Sequence, residues 1–173
     1  MSVVIDGTSG ITLPDSSSQS AAAESATVVD SIATTSGTAF DLTSIPSGTN
    51  KIEVVFANVG LNGGDHIIVQ IGTGGSLTTS GYSSSSNCDG FSTSSTSGFV
   101  MFYGTNVRAT DAVMTLHHMG GNTWGAAHYG RIDSARHVTG GGYITLGGEL
   151  DTVRLTRTGS NSFDLGNLKW RYE

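Results

Sequence analysis

The sequence predicts an all-β protein, an antiparallel β-sandwich or jelly roll of about eight strands behind an extended N-terminal segment. Gly, Ser and Thr make up 71 of the 173 residues, and all three are unfavourable in helix interiors. Apolar and polar residues alternate with a period of two in several segments, which places an apolar set on one face of a sheet. Turn-forming residues separate these segments, as is typical of a sandwich.

The alternating segments lie after residue 38, and each predicts a half-buried strand. The expected strands are 38–43, 52–56, 67–71, 99–103, 112–117, 123–129, 142–147, 153–156 and 168–172, with a stem strand near 27–33. The connection 73–98 is dominated by Ser, Thr and Gly. Because a structureless loop of that length is rare in a compact domain, it either contains an edge strand near 80–84 or is a surface loop.

The N-terminal region differs from the rest, so we divide the chain into a segment at 1–37 and a β-domain at 38–173. Its first residues hold only a few large apolar side chains, among them Ile5, Ile11 and Leu13, around a turn-like Gly7 to Gly10 stretch. So few apolar groups do not offset the entropy cost of ordering the chain. The segment is therefore either a disordered tail or a docking segment that orders on a partner.

Charge and cysteine content exclude several classes of protein. The net charge is −6, and no basic stripe is present to neutralise phosphates, so we expect no nucleic-acid partner. No apolar run reaches the roughly 20 residues of a membrane helix, so we expect no membrane insertion. Cys88 is the single cysteine, so no disulfide within the chain is possible. No secretory signal is recognisable at the N-terminus, which indicates synthesis in a cytosol.

The usual catalytic signatures are absent from the sequence, so we predict no enzyme, no cofactor and no metal site. The candidate ligand cluster is a set of histidines, namely His66, His117, His118, His128 and His137. His117 and His118 would point to opposite faces of one strand, whereas His118 and His128 could meet across a hairpin. Asp133, Ser134 and His137 supply the residue types of a catalytic triad but crowd within one loop.

Aromatic and polar residues in the segment 73–98 are the candidate contact to an external ligand. Trp124 and Trp170 occupy strand positions and are expected in the core or an interface. Tyr82 and Phe91 flank the serine-rich stretch that contains Asn87 and Asp89, and loops of this kind are frequent sites of binding. The alternative is a passive surface loop in which the two aromatic residues merely attach it to the sheet.

Several segments resemble tailed-bacteriophage fibre-type proteins. The opening at 5–15 (IDGTSGITLPD) resembles their N-terminal segments, and 37–46 (GTAFDLTSIP) resembles the start of a β-domain common in tail-fibre proteins. The likeness continues through 69–72 (VQIG), 80–82 (SGY), 120–124 (GGNTW), 151–156 (DTVRLT) and 161–167 (NSFDLGN). It covers nearly the whole chain, but its motifs are turns and core strands rather than sites.

The resemblance implies a homotrimer on a virion, assembled in the host bacterial cytoplasm. Its N-terminus would bind other virion proteins of the tail or capsid, with Ile5, Ile11 and Leu13 as anchor. A jelly-roll-like domain would contact a host-surface glycan or protein through Tyr82, Asn87, Asp89 and Phe91. Too few residues separate the N-terminal motif from the β-domain for the extended shaft of a long fibre, which favours a short tail fibre or a capsid-surface decoration; of these we expect the short tail fibre. The alternatives are a capsid-decorating head fibre without a receptor role and a carbohydrate-binding module.

The orientation of the domain depends on one strand. If 38–43 points away from the anchor, the loops near 44–50, 73–98, 119–123 and 148–151 share the distal end, because successive loops alternate between the ends of a sandwich.

Overall fold

A computed structural model describes residues 4–6, 10–12, 18–19, 27–104, 109–133 and 136–173. Within these ranges the chain forms sixteen β-strands and no helix, which confirms the predicted all-β class. No helix of the described ranges has the length and apolar character needed to cross a membrane.

The strand bounds are as follows. They are β1 (Val4–Asp6), β2 (Gly10–Thr12), β3 (Ser18–Gln19), β4 (Thr27–Ala33), β5 (Phe40–Thr43), β6 (Lys51–Leu61), β7 (Ile67–Thr73), β8 (Ser76–Leu77), β9 (Ser83–Cys88), β10 (Phe91–Ser95), β11 (Phe99–Met101), β12 (Thr110–Gly120), β13 (Thr123–Ile132), β14 (Arg136–Thr145), β15 (Thr152–Arg157) and β16 (Phe163–Tyr172).

Two antiparallel sheets form the sandwich. The larger has eight strands in the order β10-β9-β14-β13-β12-β6-β16-β4, and the smaller has the order β11-β7-β15-β5, with β8 added beside β7. A single cluster of buried apolar side chains contains residues of both sheets, so the core lies between them. A separate small sheet, β1-β2-β3, contains the described N-terminal residues.

The apolar half of the large sheet follows the alternation seen in the sequence. In β6, Ile52, Val54 and Phe56 are buried while the residues between them are partly exposed. In β16, Leu168 and Trp170 are fully buried between exposed neighbours. Each side chain of this size buried from water contributes about 1.5–3 kcal/mol, so these strands supply much of the hydrophobic core.

Residues 27–33 are part of the sandwich rather than a stem ahead of it. They form β4, which pairs with β16 so that Thr27 lies beside Tyr172 and Ala33 beside Asn167. The reason is that β16 is ten residues long and offers a second edge beyond its pairing with β6. The sandwich therefore begins at Thr27, not at the expected residue 38.

The segment 73–98 contains three strands, so neither the expected long loop nor the expected edge strand at 80–84 describes it correctly. β9 pairs with β14, and β10 pairs with β9 as the edge of the large sheet. We call the β9–β10 hairpin, residues 83–95, the serine arm. The count of about eight strands was low because β9 and β10 of this arm, the short β8 and the small N-terminal strands β1 to β3 were not expected.

Hydroxyl groups replace apolar side chains in the interior of the serine arm. Ser84 Oγ accepts a hydrogen bond from Val100 N–H at 2.8 Å, and Ser86 Oγ accepts one from Phe102 N–H at 2.9 Å. Ser86 Oγ also lies 2.9 Å from His128 Nε2. Buried polar groups need such partners, and here the serines satisfy backbone groups along the free edge of β11.

Glycines in β14 allow this close approach. A Cβ on Gly140 would lie 2.3 Å from Ser85 O, and a Cβ on Gly142 would lie 2.3 Å from Ser83 O. Both distances are far shorter than a carbon–oxygen contact allows, so a side chain at either position would push β9 away from β14.

In the N-terminal segment, the anchor candidates Ile5 and Ile11 are backbone partners in the β1–β2 pair. Leu13 lies outside the described residues.

Strand register defines two ends of the sandwich. Thr27 pairs with Tyr172, and Tyr172 pairs with Ile52 at the start of β6; we call this the near end. At the opposite, far end, Ile132 pairs with Arg136 and with Thr110.

The loops near 44–50, 119–123 and 148–151 do share one end, where they line common cavities.

That shared end is the near end, because the C-terminal residue of β5, Thr43, lies on the same side as Thr27. Strand β5 therefore points toward the end at which Thr27 lies. Those loops lie beside the point where the N-terminal segment joins the sandwich.

Candidate functional site

The tip of the serine arm lies at the far end of the sandwich. Cys88 pairs with Phe91 across a two-residue turn made by Asp89 and Gly90, both with positive φ, 46° and 91°. This Asp-Gly pair is the typical turn of a tight hairpin. On its other side Cys88 pairs with Val138, near the far-end start of β14.

Three of the four predicted contact residues lie together at this tip. Asn87, Asp89 and Phe91 are exposed, and Phe91 exposes 63% of its surface. The Phe91 ring centroid lies 6.3 Å from that of Phe102, which lies 5.0 Å from the His66 ring. We call Phe91, Phe102 and His66 the far-end aromatic cluster. It is a projecting surface with apolar rings beside polar turn groups.

Tyr82, the fourth predicted contact, has a structural position instead. Only 2% of it is exposed, and its hydroxyl accepts a hydrogen bond from Ile71 N–H at 2.8 Å and reaches Thr78 O at 3.0 Å. Burial raises the pKa of this hydroxyl to about 12. The ring packs edge-on against Phe99 at 5.1 Å. Because β11 begins only at Phe99, opposite Val69, the Tyr82 hydroxyl pairs with the backbone of Ile71 in place of a strand residue. Tyr82 is therefore withdrawn from any contact surface of the folded chain.

The histidines do not cluster at one site in the described structure. His118 pairs with Trp124 and His128 pairs with Met114, so the expected meeting of His118 and His128 across the hairpin is wrong. His128 is buried, and burial lowers its pKa to about 4. Across the described part of the chain, no three His, Cys, Asp or Glu side chains form a metal-binding group.

The triad-like loop has another arrangement. Asp133 forms an ion pair with Arg136 at 2.6 Å, His137 is exposed, and Ser134 lies outside the described residues.

The near end contains a cavity that the sequence did not indicate. Its volume is about 270 Å³, and its lining includes Asn50, His118, Asn122, Trp124 and Glu149. These residues come from three separate turns and strand ends, so no local motif connects them. The weak signal available was the predicted grouping of the loops at 44–50, 119–123 and 148–151.

Two hydrogen bonds fix the position of the Glu149 carboxylate, the charged group that lines this cavity. Glu149 Oε1 accepts hydrogen bonds from Ser47 Oγ at 2.7 Å and from Gly48 N–H at 2.8 Å. The bond from Ser47 makes the largest contribution to lowering the pKa of Glu149, and the bond from Gly48 makes the second largest. The carboxylate is therefore ionised at neutral pH. The His118 ring lies 5.3 Å from the Trp124 ring and is tilted by 39°.

No protein-family model, curated protein or solved structure matches this chain. The geometry and the sequence are therefore the basis for any statement about function.

Proposed function

We propose that this chain is a structural protein of a bacteriophage virion, a short tail fibre that projects a β-sandwich for attachment to the host surface. The sequence resemblance along most of the chain supports this. The observation that carries the proposal is the opposite placement of two features. The N-terminal segment joins the sandwich at Thr27, at the near end, whereas Asp89 and Phe91 project at the far end.

Attachment to the virion is assigned to the N-terminal segment, with Ile5, Ile11 and Leu13 as the anchor to tail or capsid proteins. A chain mounted in this way holds its near end toward the particle and its far end toward the surroundings. The protein is then made in the bacterial cytoplasm and resides in the virion.

A jelly roll is the finer topology that we propose. Eight strands divide between the sheets as β4-β16-β6-β12 and β5-β15-β7-β11, and among these eight each successive strand passes to the other sheet except from β7 to β11, which pair with each other. This alternation supports two nested Greek keys, which define a jelly roll. The serine arm and the hairpin strands β13 and β14 extend the first of these sheets.

We also propose a homotrimer, as the resemblance implies. The edge strands β4 and β10 of the large sheet have backbone groups that another copy could cover, and proteins commonly protect such edges. Light scattering of the full chain at micromolar concentration is expected to give three times the 17.8 kDa chain mass. A monomer mass would contradict the trimer.

Host contact is assigned to Asn87, Asp89 and Phe91 at the tip. An exposed aromatic ring beside polar turn groups offers both apolar area and hydrogen bonds, a combination enriched in binding surfaces. The Asp-Gly turn and the pairing of β9 with β14 hold these groups on a strand rather than on a free loop.

The test is adsorption of virions that carry Asp89→Asn together with Phe91→Ala. Asn tolerates the positive φ at position 89, so the turn is retained while charge and ring are lost. We expect adsorption to host cells to fall at least about tenfold, with little change in thermal stability. The matched control is Tyr129→Ala, an exposed ring on strand β13. Full adsorption of the double variant would remove the receptor role and favour a capsid-decorating head fibre.

A further inference from the structure

The near-end cavity has unused hydrogen-bonding groups along its wall. The side-chain amides of Asn50 and Asn122 line it and form no hydrogen bond with any described residue. Each amide offers two donors and one acceptor oxygen. Glu149 uses Oε1 for Ser47 and Gly48, which leaves Oε2 as a further acceptor.

Apolar and aromatic side chains also contribute to the lining. Leu150 and Trp124 line the cavity and are themselves almost fully buried. The His118 ring, which packs beside Trp124, is fixed by a 2.6 Å hydrogen bond between Nε2 and Gly121 O. Since a carbonyl only accepts, Nε2 carries the hydrogen, and the ring is held in one orientation. The lining therefore combines polar groups with a ring held in a fixed orientation.

A second cavity of about 250 Å³ adjoins the first and shares Glu149 and Leu150 with it. Asp151 lines this second cavity, where its Oδ2 accepts a hydrogen bond from Gly75 N–H at 2.9 Å. Asp151 Oδ1 is buried and has no partner within the described ranges. Because this oxygen has almost no accessible surface, Asp151 contributes its charge to the site rather than a direct contact.

We propose that these two adjoining cavities bind a neutral saccharide, with one sugar ring in each cavity. Sugar hydroxyls both donate and accept, so they pair with the two amides and with Oε2 of Glu149. The C–H face of a ring packs on the His118 ring, which is exposed beside Trp124. A ring surface combined with a few fixed polar groups is typical of small-ligand sites.

The charges at the site select against other ligands. Two carboxylates at the site, with no Lys or Arg in either lining, repel nucleotides, phosphates and acidic sugars. A simple cation would leave the amide N–H donors of Asn50 and Asn122 without acceptors. The inference rests on the cavities alone and holds whether or not the chain belongs to a virion.

The test is an NMR titration of the full ¹⁵N-labelled chain with D-glucose, D-galactose, N-acetyl-D-glucosamine, maltose and lactose. At least one of these sugars at millimolar concentration is expected to shift the side-chain amide signals of Asn50 and Asn122 and the indole signal of Trp124. A disaccharide is expected to bind more tightly than its component ring, since two cavities are then filled.

The variant Asn50→Ala with Asn122→Ala is expected to lose at least about tenfold in affinity at an unchanged melting temperature, because neither amide has a structural hydrogen bond in the described chain. The matched control is Asn167→Ala, an exposed amide on β16 away from the near end. Two results would overturn the proposal. One is that none of the five sugars shifts the cavity signals, and the other is that the double variant binds as tightly as the native chain.

Discussion

The two halves of the large sheet face the same core but are stabilised in different ways. In β6 and β16 the inward residues are large and apolar, such as Phe56 and Trp170. In β9 and β14 the inward positions hold Ser84, Ser86 and Gly140 beside the buried Cys88, Val138 and Ile144, and the two serines accept hydrogen bonds from the backbone of Val100 and Phe102. The first half depends on removing apolar area from water, and the second depends in addition on satisfying buried polar groups.

This difference has a functional consequence. The serine arm carries Asn87, Asp89 and Phe91 to the far end of the sandwich, so its hydrogen bonds determine how rigidly the proposed contact is presented. Hydrogen bonds contribute less per group than large buried side chains. We therefore expect substitutions in the apolar half to affect the whole fold and those in the arm to act more locally.

The largest effect is expected for Trp170→Ala in the apolar half. Trp170 is fully buried, and truncation of such a side chain leaves a cavity that costs about 3–5 kcal/mol. Chemical denaturation of the purified chain measures the loss. Lys169→Ala, its exposed neighbour, is the control and should change the unfolding free energy by less than about 0.5 kcal/mol. Equal losses for the two variants would contradict the assignment of the core.

The second effect is a pH dependence of stability that originates in the burial of His128, whose Nε2 lies 2.9 Å from Ser86 Oγ of the arm. Burial lowers the pKa of His128 to about 4 from 6.5, so the unfolded chain binds a proton between these values and the folded chain does not. Stability therefore falls as pH decreases from about 6.5 to about 4, by about 3 kcal/mol in total.

The measurement is the unfolding free energy of native chain and His128→Gln at pH 7, 5.5 and 4. The native chain should lose more stability than the variant over this range. His137→Gln, at an exposed position, is the control and should behave as the native chain. Parallel curves for native chain and His128→Gln would show that His128 is not buried in neutral form.

The third effect is expected for Ser86→Ala. The substitution leaves Phe102 N–H without its acceptor and His128 Nε2 without its contact, at a cost of about 1–3 kcal/mol. Ser85→Ala, on the exposed side of the same strand, should be nearly neutral. If both substitutions were neutral, the hydroxyls would have no role in joining β9 to β11.

The smallest effect on stability is expected for Tyr82→Phe. It removes only the hydroxyl that pairs with Ile71, which we expect to cost about 1–2 kcal/mol because a buried N–H loses its acceptor. Host adsorption should be unchanged, since the side chain is buried. A loss of adsorption without a loss of stability would indicate that Tyr82 is part of the contact surface after all.

The sequence predicted the apolar half well and the arm poorly, for one physical reason. Alternation of Ile, Val, Phe, Leu and Trp marks a strand by its buried face, as in 52–56 and 168–172. In 83–88 every residue is polar except Cys88, because the inward serines are satisfied by backbone groups of β11, and that pairing becomes visible only in three dimensions. The Asp-Gly turn at 89–90 was the local signal for a hairpin.

The candidate site could be predicted only in part. Asn87, Asp89 and Phe91 were proposed from composition, and the fold places them together, while their role as a contact stays a prediction. Tyr82 was misplaced because its hydroxyl completes the pairing of a strand distant in sequence. The near-end cavity was missed because Asn50, Asn122 and Glu149 come from three turns that only the register of the strands brings together.

Hydrogen–deuterium exchange of the full chain tests most directly whether the serine arm is a packed part of the sheet. The account predicts that amides in 84–88 and 99–102 exchange slowly, near the rate of 163–172 in the apolar half, while the turn at 73–76 exchanges fast. Ser86→Ala should speed exchange at 99–102 and leave 163–172 unchanged. Fast exchange across 83–102 in the native chain would contradict the account, because the residues of the proposed contact would then lie on a free loop.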